Sequence, residues 1–134
     1  MKLGYTIIYV PNVAASLWFF EGAFGLSRRF LHESGDYGEL ETGETTLAFA
    51  SHELENVNFP SGFVAASESS KPLGIEIALV TPSVVEAHTK ALAADAAELK
   101  RPETKPCGQV VSYVRCPDGT LVEICSPVGG QIAA

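Results

Sequence analysis

Basic residues are scarce in this sequence: charged residues make up 19% of 134, and only nine residues are Lys or Arg. The net charge is −7, and the basic residues do not cluster into the face that nucleic acid requires. No apolar run reaches the roughly 18 to 20 residues of a transmembrane helix. We therefore expect neither a nucleic-acid partner nor a membrane partner. An acidic protein is better suited to binding neutral or cationic small molecules.

Cysteine and histidine are also few. The three cysteines include no Cys-x-x-Cys pair, so reduced thiols are expected and a disulfide framework is not. His32, His52 and His88 show no metal-ligand spacing among themselves and are expected to be solvated or half-buried. The N-terminus runs straight into a strand pattern with no signal peptide, which predicts a cytoplasmic location.

An internal repeat organises the chain, of which 46% is hydrophobic and therefore able to form a packed core. Apolar strand patterns at residues 6–10 and 77–81 are each followed by Pro, a capping residue and Val, with a constant offset of 71 positions. Asn12 and Ser83 are predicted N-caps, and Ser83 with Glu86 fits a capping box. Gly25 is predicted to end the first helix.

Shorter strand patterns follow each helix, so each half is predicted to be β-α-β-β-β. These strands are expected over residues 28–32, 38–42 and 45–51, and then near 98–101, at 110–116 and at 121–125. The predicted fold is α+β: two βαβββ modules in one domain, whose open curved mixed sheet forms a cleft with the helices on its outer face. The domain is expected to span residues 1–134, with module 1 at about 1–52, a linker at 53–74 and module 2 at about 75–127.

Strand parity predicts which side chains line the open face of the sheet, because successive strand residues point to opposite faces. Apolar residues at 77, 79, 122 and 124 should face the helix. The opposite face then carries a set of aromatic, apolar and acidic residues and one cysteine: Tyr5, Ile7, Tyr9, Glu76, Ala78, Val80, Leu121, Glu123 and Cys125. Phe59 and Phe63 of the linker, which is expected to be a loop, could cover a ligand bound there.

Both the repeat and two local motifs resemble the vicinal-oxygen-chelate superfamily, which includes glyoxalase I, extradiol dioxygenases and bleomycin-binding resistance proteins. The motifs are residues 5–26, which end in Phe-Gly-Leu, and residues 114–124, which contain Pro-Asp-Gly and a later Glu. The metal-dependent members of this superfamily take metal ligands from the first and last strands of each module. The resemblance implies that the corresponding positions in this sequence are Tyr5, Ala48, Glu76 and Glu123. Only Glu123 keeps the usual residue type, and Ala48 cannot ligate. We therefore expect no metal and no cofactor, with a divalent metal as the alternative.

Three functions stay open at this point. The favoured hypothesis is a protein that binds a small organic molecule, as the antibiotic-sequestering relatives do. A cationic ligand would be held by the carboxylates of Glu76 and Glu123 and by the faces of the tyrosine rings. It would also contact Ala48. The alternative is a glyoxalase-like lyase or isomerase, or a dioxygenase relative, with Glu76 or Glu123 as catalytic base or weak metal ligand. In the third, the open face serves only for assembly. Glu76 and Glu123 could also be ordinary solvent-facing residues, and Tyr5 could serve packing alone.

The first helix predicts association. Trp18, Phe19 and Phe20 are consecutive, so they point about 100° apart and cannot all face one core. At least one of them should be exposed or lie at an interface. We therefore expect a homodimer.

Overall fold

The computed structural model describes residues 1–128 of the chain. It contains two compact units, of which the first is Met1–Ser70 and the second begins at Lys71. Each unit has its own four-stranded sheet. The expectation of a single domain over residues 1–134 stays a prediction, and its last six positions lie outside the described residues.

The first unit is a mixed sheet covered on one face by a helix. Its elements are β1 (Tyr5–Val10), α1 (Val13–Phe24), β2 (Ser27–Leu31), β3 (Tyr37–Glu41), β4 (Thr46–Ser51) and α2 (His52–Asn58). The strand order is β1-β4-β3-β2, in which β1 runs parallel to β4 and the other pairs are antiparallel. The fully buried side chains of α1 and the sheet form the core between them, and they include Leu17, Phe20, Leu40 and Phe49.

Helix α1 begins and ends where the sequence predicts. The side chain of Asn12 accepts a hydrogen bond from the backbone N–H of Ala15 at 3.0 Å, which satisfies one of the free donors of the first turn. Gly25 takes a left-handed conformation with φ of 70°, and its N–H donates to the carbonyl of Glu21. Both cap predictions are confirmed.

The second unit repeats this plan. Its elements are β5 (Glu76–Val80), α3 (Val84–Ala93), β6 (Ala97–Thr104), β7 (Val110–Arg115) and β8 (Leu121–Cys125). The strand order β5-β8-β7-β6 matches that of the first unit position by position, and β5 is parallel to β8. The α+β class with two βαβββ modules is confirmed.

Three local expectations are wrong. Ser83 precedes α3 but its side chain makes no capping hydrogen bond, so the predicted capping box does not form. The linker is not a plain loop, because it contains α2 and a 3-10 turn at Ala66–Glu68. His88 is buried rather than solvated: it bonds to Ser112 at 2.9 Å and to Glu98 at 2.7 Å, and these partners satisfy both ring nitrogens between α3 and the sheet.

Aromatic residues of α1 separate as their spacing predicts. Phe19 and Phe20 are buried, whereas 74% of Trp18 is exposed. Over residues 1–128, no helix is both long enough and apolar enough to span a membrane. Cys107, Cys116 and Cys125 are all free thiols, as expected.

Candidate functional site

The open face of the second sheet carries the two carboxylates that the sequence singles out. Ala78 of β5 and Tyr113 of β7 flank Glu123 of β8 in the strand register, and Glu76 lies beside Leu121. Residues aligned in neighbouring strands share a face, so these side chains point to the same side. Val122 and Ile124 are buried on the helix side, as parity predicts.

Glu76 and Glu123 form a carboxyl pair. Their side chains lie within hydrogen-bonding reach of each other, and the Tyr113 hydroxyl donates to Oε1 of Glu123 at 2.9 Å. Cys125 lies on the same face of β8, and its thiol lies beside Glu123 as well. The structure therefore brings Glu76, Glu123 and Cys125 together on the face that parity predicts, and it adds Tyr113, which the sequence analysis did not single out.

Electrostatics in this cluster favour a bound proton. Loss of hydration raises the pKa of Glu76, and the hydrogen bond and charge of Glu123 raise it further. The hydrogen bond to Glu123 is the largest cause that raises the pKa of Tyr113 to about 12, and burial first and then Glu123 raise the pKa of Cys125 to about 11. Two close carboxyl groups repel when both are ionised, so the pair holds a proton to higher pH than a lone glutamate does.

The open face of the first sheet carries the predicted aromatic and apolar residues. Tyr5, Ile7 and Tyr9 of β1 align with Thr46, Ala48 and Ala50 of β4. Tyr5 and Ile7 are 59% and 43% exposed, so both are accessible to a ligand. Ala48, however, is completely buried in the central strand β4. It therefore exposes no surface for the ligand contact that the sequence predicts.

A second charged cluster on the first sheet was missed from the sequence. Glu39 of β3 lies opposite Ala48 and is 7% exposed. Arg29 donates to it at 3.0 Å and the Tyr37 hydroxyl at 2.7 Å, and Arg29 also pairs with Glu41. Burial and the hydrogen bond to Glu39 raise the pKa of the Tyr37 phenol well above its usual range. Two hydrogen-bond donors compensate the cost of burying the Glu39 carboxylate. This cluster therefore stabilises the fold and leaves no unpaired charge for a ligand.

The two linker aromatics have different surroundings. The ring of Phe59 meets that of Tyr9 edge-on at 6.3 Å, so Phe59 lies at the open face of the first sheet. The amide of Asn58 donates to the Tyr9 hydroxyl at 3.4 Å. Phe63 instead lies against the His52 ring at 5.7 Å, so the two aromatics contact different rings.

Comparison with known proteins identifies the family. The model of the Glyoxalase/Bleomycin resistance protein/Dioxygenase superfamily matches residues 2–124. The chain belongs to this superfamily. No curated protein matched the chain.

Solved structures show the same superfamily fold. An enzyme of the glyoxalase/bleomycin resistance protein/dioxygenase family from Burkholderia phytofirmans PsJN is 18% identical with a TM-score of 0.78, over 94% of this chain and 98% of that one. A glyoxalase-related enzyme from Fulvimarina pelagi is 21% identical with a TM-score of 0.76, over 100% and 99%. TioX from Micromonospora sp. ML1 is 16% identical with a TM-score of 0.69, over 94% and 98%. At these identities the likeness shows the fold alone.

The superfamily's metal does not fit the residues of this chain. Of the four ligand places, Ala48 offers a buried methyl group and Tyr5 an exposed phenol, which leaves only the carboxyl pair of Glu76 and Glu123. Within residues 1–128, no group of three or more His, Cys, Asp or Glu side chains is arranged to hold a metal. Transition-metal sites with oxygen ligands ordinarily need three protein ligands that include His. The residues at these four places therefore do not form the superfamily's metal site.

Proposed function

We propose that this superfamily member binds a small cationic organic molecule through the carboxyl pair and acts as a sequestering protein of the bleomycin-resistance type. The observation that carries the proposal is the pairing of Glu76 and Glu123 on an open sheet face. A cation placed between two carboxylates removes the repulsion that a proton otherwise removes, and it gains two charge-assisted contacts.

The surroundings of the pair suit such a ligand. Tyr113 donates to Glu123 and fixes the position of its carboxylate, so the ligand does not have to order it. Taken by itself, the first unit's open face has aromatic and apolar residues that we propose for ligand contact on that unit, namely Tyr5, Ile7, Tyr9 and Phe59. Tyrosine faces attract organic cations by about 0.5 to 2 kcal/mol each.

A thermal-stability screen tests the proposal. The full-length chain is melted against matched cationic, neutral and anionic organic compounds of similar size. We expect only cationic compounds to raise Tm, by an amount that grows with concentration, because a ligand that binds the folded state alone stabilises it. If no cationic compound raises Tm, or if anionic compounds raise it equally, the proposal fails.

One observation favours an enzyme as the second candidate. The raised pKa of Glu76 makes its ionised form a stronger base than an ordinary glutamate, which suits proton abstraction by a lyase or isomerase. Recovery of the stabilising compound by liquid chromatography and mass spectrometry separates the two candidates. We expect the compound to be recovered unchanged, whereas catalytic conversion that is lost in Glu76→Gln would establish the enzyme.

A further inference from the structure

The open face of each sheet carries a glutamate that accepts a hydrogen bond from a tyrosine. In the first sheet, the Tyr37 hydroxyl donates to Oε2 of Glu39 at 2.7 Å, and Glu39 lies opposite Ala48 of β4. In the second sheet, Tyr113 holds the matching place opposite Glu123 of β8 and donates to its Oε1 at 2.9 Å. The strand orders of the two sheets match, so the two clusters occupy comparable places in the repeat.

Arg29 supplies the positive charge of the first cluster. Its Nη1 donates to Oε1 of Glu39 at 3.0 Å and to the Thr46 hydroxyl at 3.2 Å, and its Nη2 donates to Oε2 of Glu41. A planar guanidinium presents several N–H donors in fixed directions, which suits contact with more than one carboxylate. In this chain, therefore, two carboxylates on an open sheet face are bridged by a cation that donates hydrogen bonds to both.

The carboxyl pair of the second sheet has no such cation in the part of the chain that the structure describes. Within residues 1–128, no ion pair includes Glu76 or Glu123, and positions 129–134 contain neither Lys nor Arg. On β6, Nζ of Lys100 lies 3.1 Å from a carboxylate oxygen of Glu103. On β7, Nε of Arg115 donates to a backbone carbonyl at 3.3 Å. Apart from a proton, the positive charge between the two carboxylates must come from a bound molecule.

We infer that the cation bound by the carboxyl pair carries N–H donors on its charged centre, as guanidinium, amidinium and primary ammonium groups do. The inference rests on the proposed function and names the chemical class of its ligand. Glu76 and Glu123 lie within hydrogen-bonding reach of each other, so a group that satisfies both must donate to each at hydrogen-bond distance. A quaternary ammonium is covered by alkyl groups, so it would remove water from the carboxylates without replacing the lost hydrogen bonds.

Three benzyl compounds of matched size separate charge from hydrogen bonding. Benzylguanidinium has the charge and the N–H donors, benzyltrimethylammonium has the charge alone, and benzylurea has the N–H donors alone. Each is titrated calorimetrically into the full-length chain at neutral pH. The same titrations use Glu76→Gln, Glu123→Gln and the control Glu33→Gln, which removes a charge from an exposed turn. Circular dichroism shows whether each variant is folded.

Benzylguanidinium is expected to bind at least about tenfold more tightly than either matched compound, because a hydrogen bond to a charged group is worth that much. Both variants of the carboxyl pair should weaken its binding, and Glu33→Gln should not. Equal affinity of the two cations, weakened alike in Glu76→Gln and Glu123→Gln, would overturn the inference and leave the proposed function standing. Equal affinity of benzylurea and benzylguanidinium would overturn both, because charge would then contribute nothing. If neither cation binds, the inference fails, and the wider screen of cationic compounds decides the proposed function.

Discussion

At the scale of single residues, Glu76 and Glu123 are the central groups of the proposed ligand site. Their carboxyl groups lie within hydrogen-bonding reach of each other, so a proton or a cation bound there changes the interaction between them. The Tyr113 hydroxyl and the Cys125 thiol lie against Glu123. Burial first, and then the hydrogen bond and the charge of Glu123, raise the pKa of Glu76. A proton or a cation on the Glu76 side of the pair relieves the repulsion between the two groups.

Glu76→Gln should make the protein more stable at neutral pH and progressively less so at acid pH. The folded-state pKa of Glu76 lies above the ordinary value of 4.5, so between these two pKa values the folded state binds more protons than the unfolded state. Stability of wild type therefore falls as pH rises through this window, and the Gln variant lacks that contribution. Urea denaturation of both proteins over a pH series measures the difference. A difference that does not depend on pH would contradict the raised pKa.

Tyr113→Phe should lower the free energy of unfolding by about 1 kcal/mol, because it removes a hydrogen bond to a carboxylate that is partly exposed to water. Tyr5→Phe is the matched control. Its phenol is largely exposed, so the change should stay under about 0.5 kcal/mol. Equal effects of the two substitutions in chemical denaturation would show that the bond between Tyr113 and Glu123 is not formed in solution.

At the scale of elements, the alternation of residues along each strand correctly predicted which side chains of the second sheet share a face. It placed Glu76 and Glu123 on one face and Val122 and Ile124 on the other, because alternation along a strand depends only on local geometry. It did not reveal the hydroxyl of Tyr113 as the partner of Glu123, because the partner depends on the register between β7 and β8.

A register irregularity hid the cluster around Glu39. The pairing of β2 with β3 shifts between Arg28 and Phe30, so simple alternation does not apply to Arg29. Its guanidinium reaches Glu39 and Glu41 as a result. A bulge of this kind leaves no clear mark in the sequence, and this cluster could not have been predicted from alternation alone.

Helix α2 was missed for a different reason. Its sequence, His-Glu-Leu-Glu-Asn-Val-Asn, has no apolar stripe at helical spacing, and Phe59-Pro60 follows it directly. The one local signal was Ser51, whose side chain does cap the helix. The burial of Glu55 depends on tertiary packing, which a short polar segment cannot show.

The two N-caps provide a matched stability test. Asn12→Ala should cost about 1 kcal/mol, since it removes the hydrogen bond to Ala15. Ser83→Ala should cost much less, because the side chain of Ser83 makes no capping bond to α3. Thermal or urea unfolding of the two variants measures both. A cost at Ser83 equal to that at Asn12 would show that the capping box forms in solution after all.

At the scale of the whole molecule, the repeat explains why the fold was predictable. The 71-residue offset between Tyr5 and Glu76 marks the first positions of β1 and β5, and the strand orders of the two sheets match. One recognisable module therefore predicted the other. The ligand was not predictable in the same way, because superfamily members share the fold and differ in their sites.

Association in solution is a further prediction at this scale. Trp18 is 74% exposed on α1, and burial of a large aromatic side chain against a second copy would be favourable. We expect a homodimer by light scattering at micromolar concentration, and a shift toward monomer in Trp18→Glu. Val85→Glu, which changes an exposed apolar residue of α3, is the control and should remain dimeric. A monomeric wild type would contradict the expected association.

The central claim is that the carboxyl pair binds an organic cation through charge, and calorimetry on neutralised variants tests it most directly. The best cationic compound from the screen is titrated into wild type, Glu76→Gln, Glu123→Gln and the control Glu33→Gln, which removes the same charge from an exposed turn. We expect each variant of the pair to lose about 1.5 to 3 kcal/mol of binding free energy, roughly ten- to hundredfold in Kd, while the control binds as wild type does. Unchanged affinity in both variants of the pair, or an equal loss in Glu33→Gln, would contradict the claim.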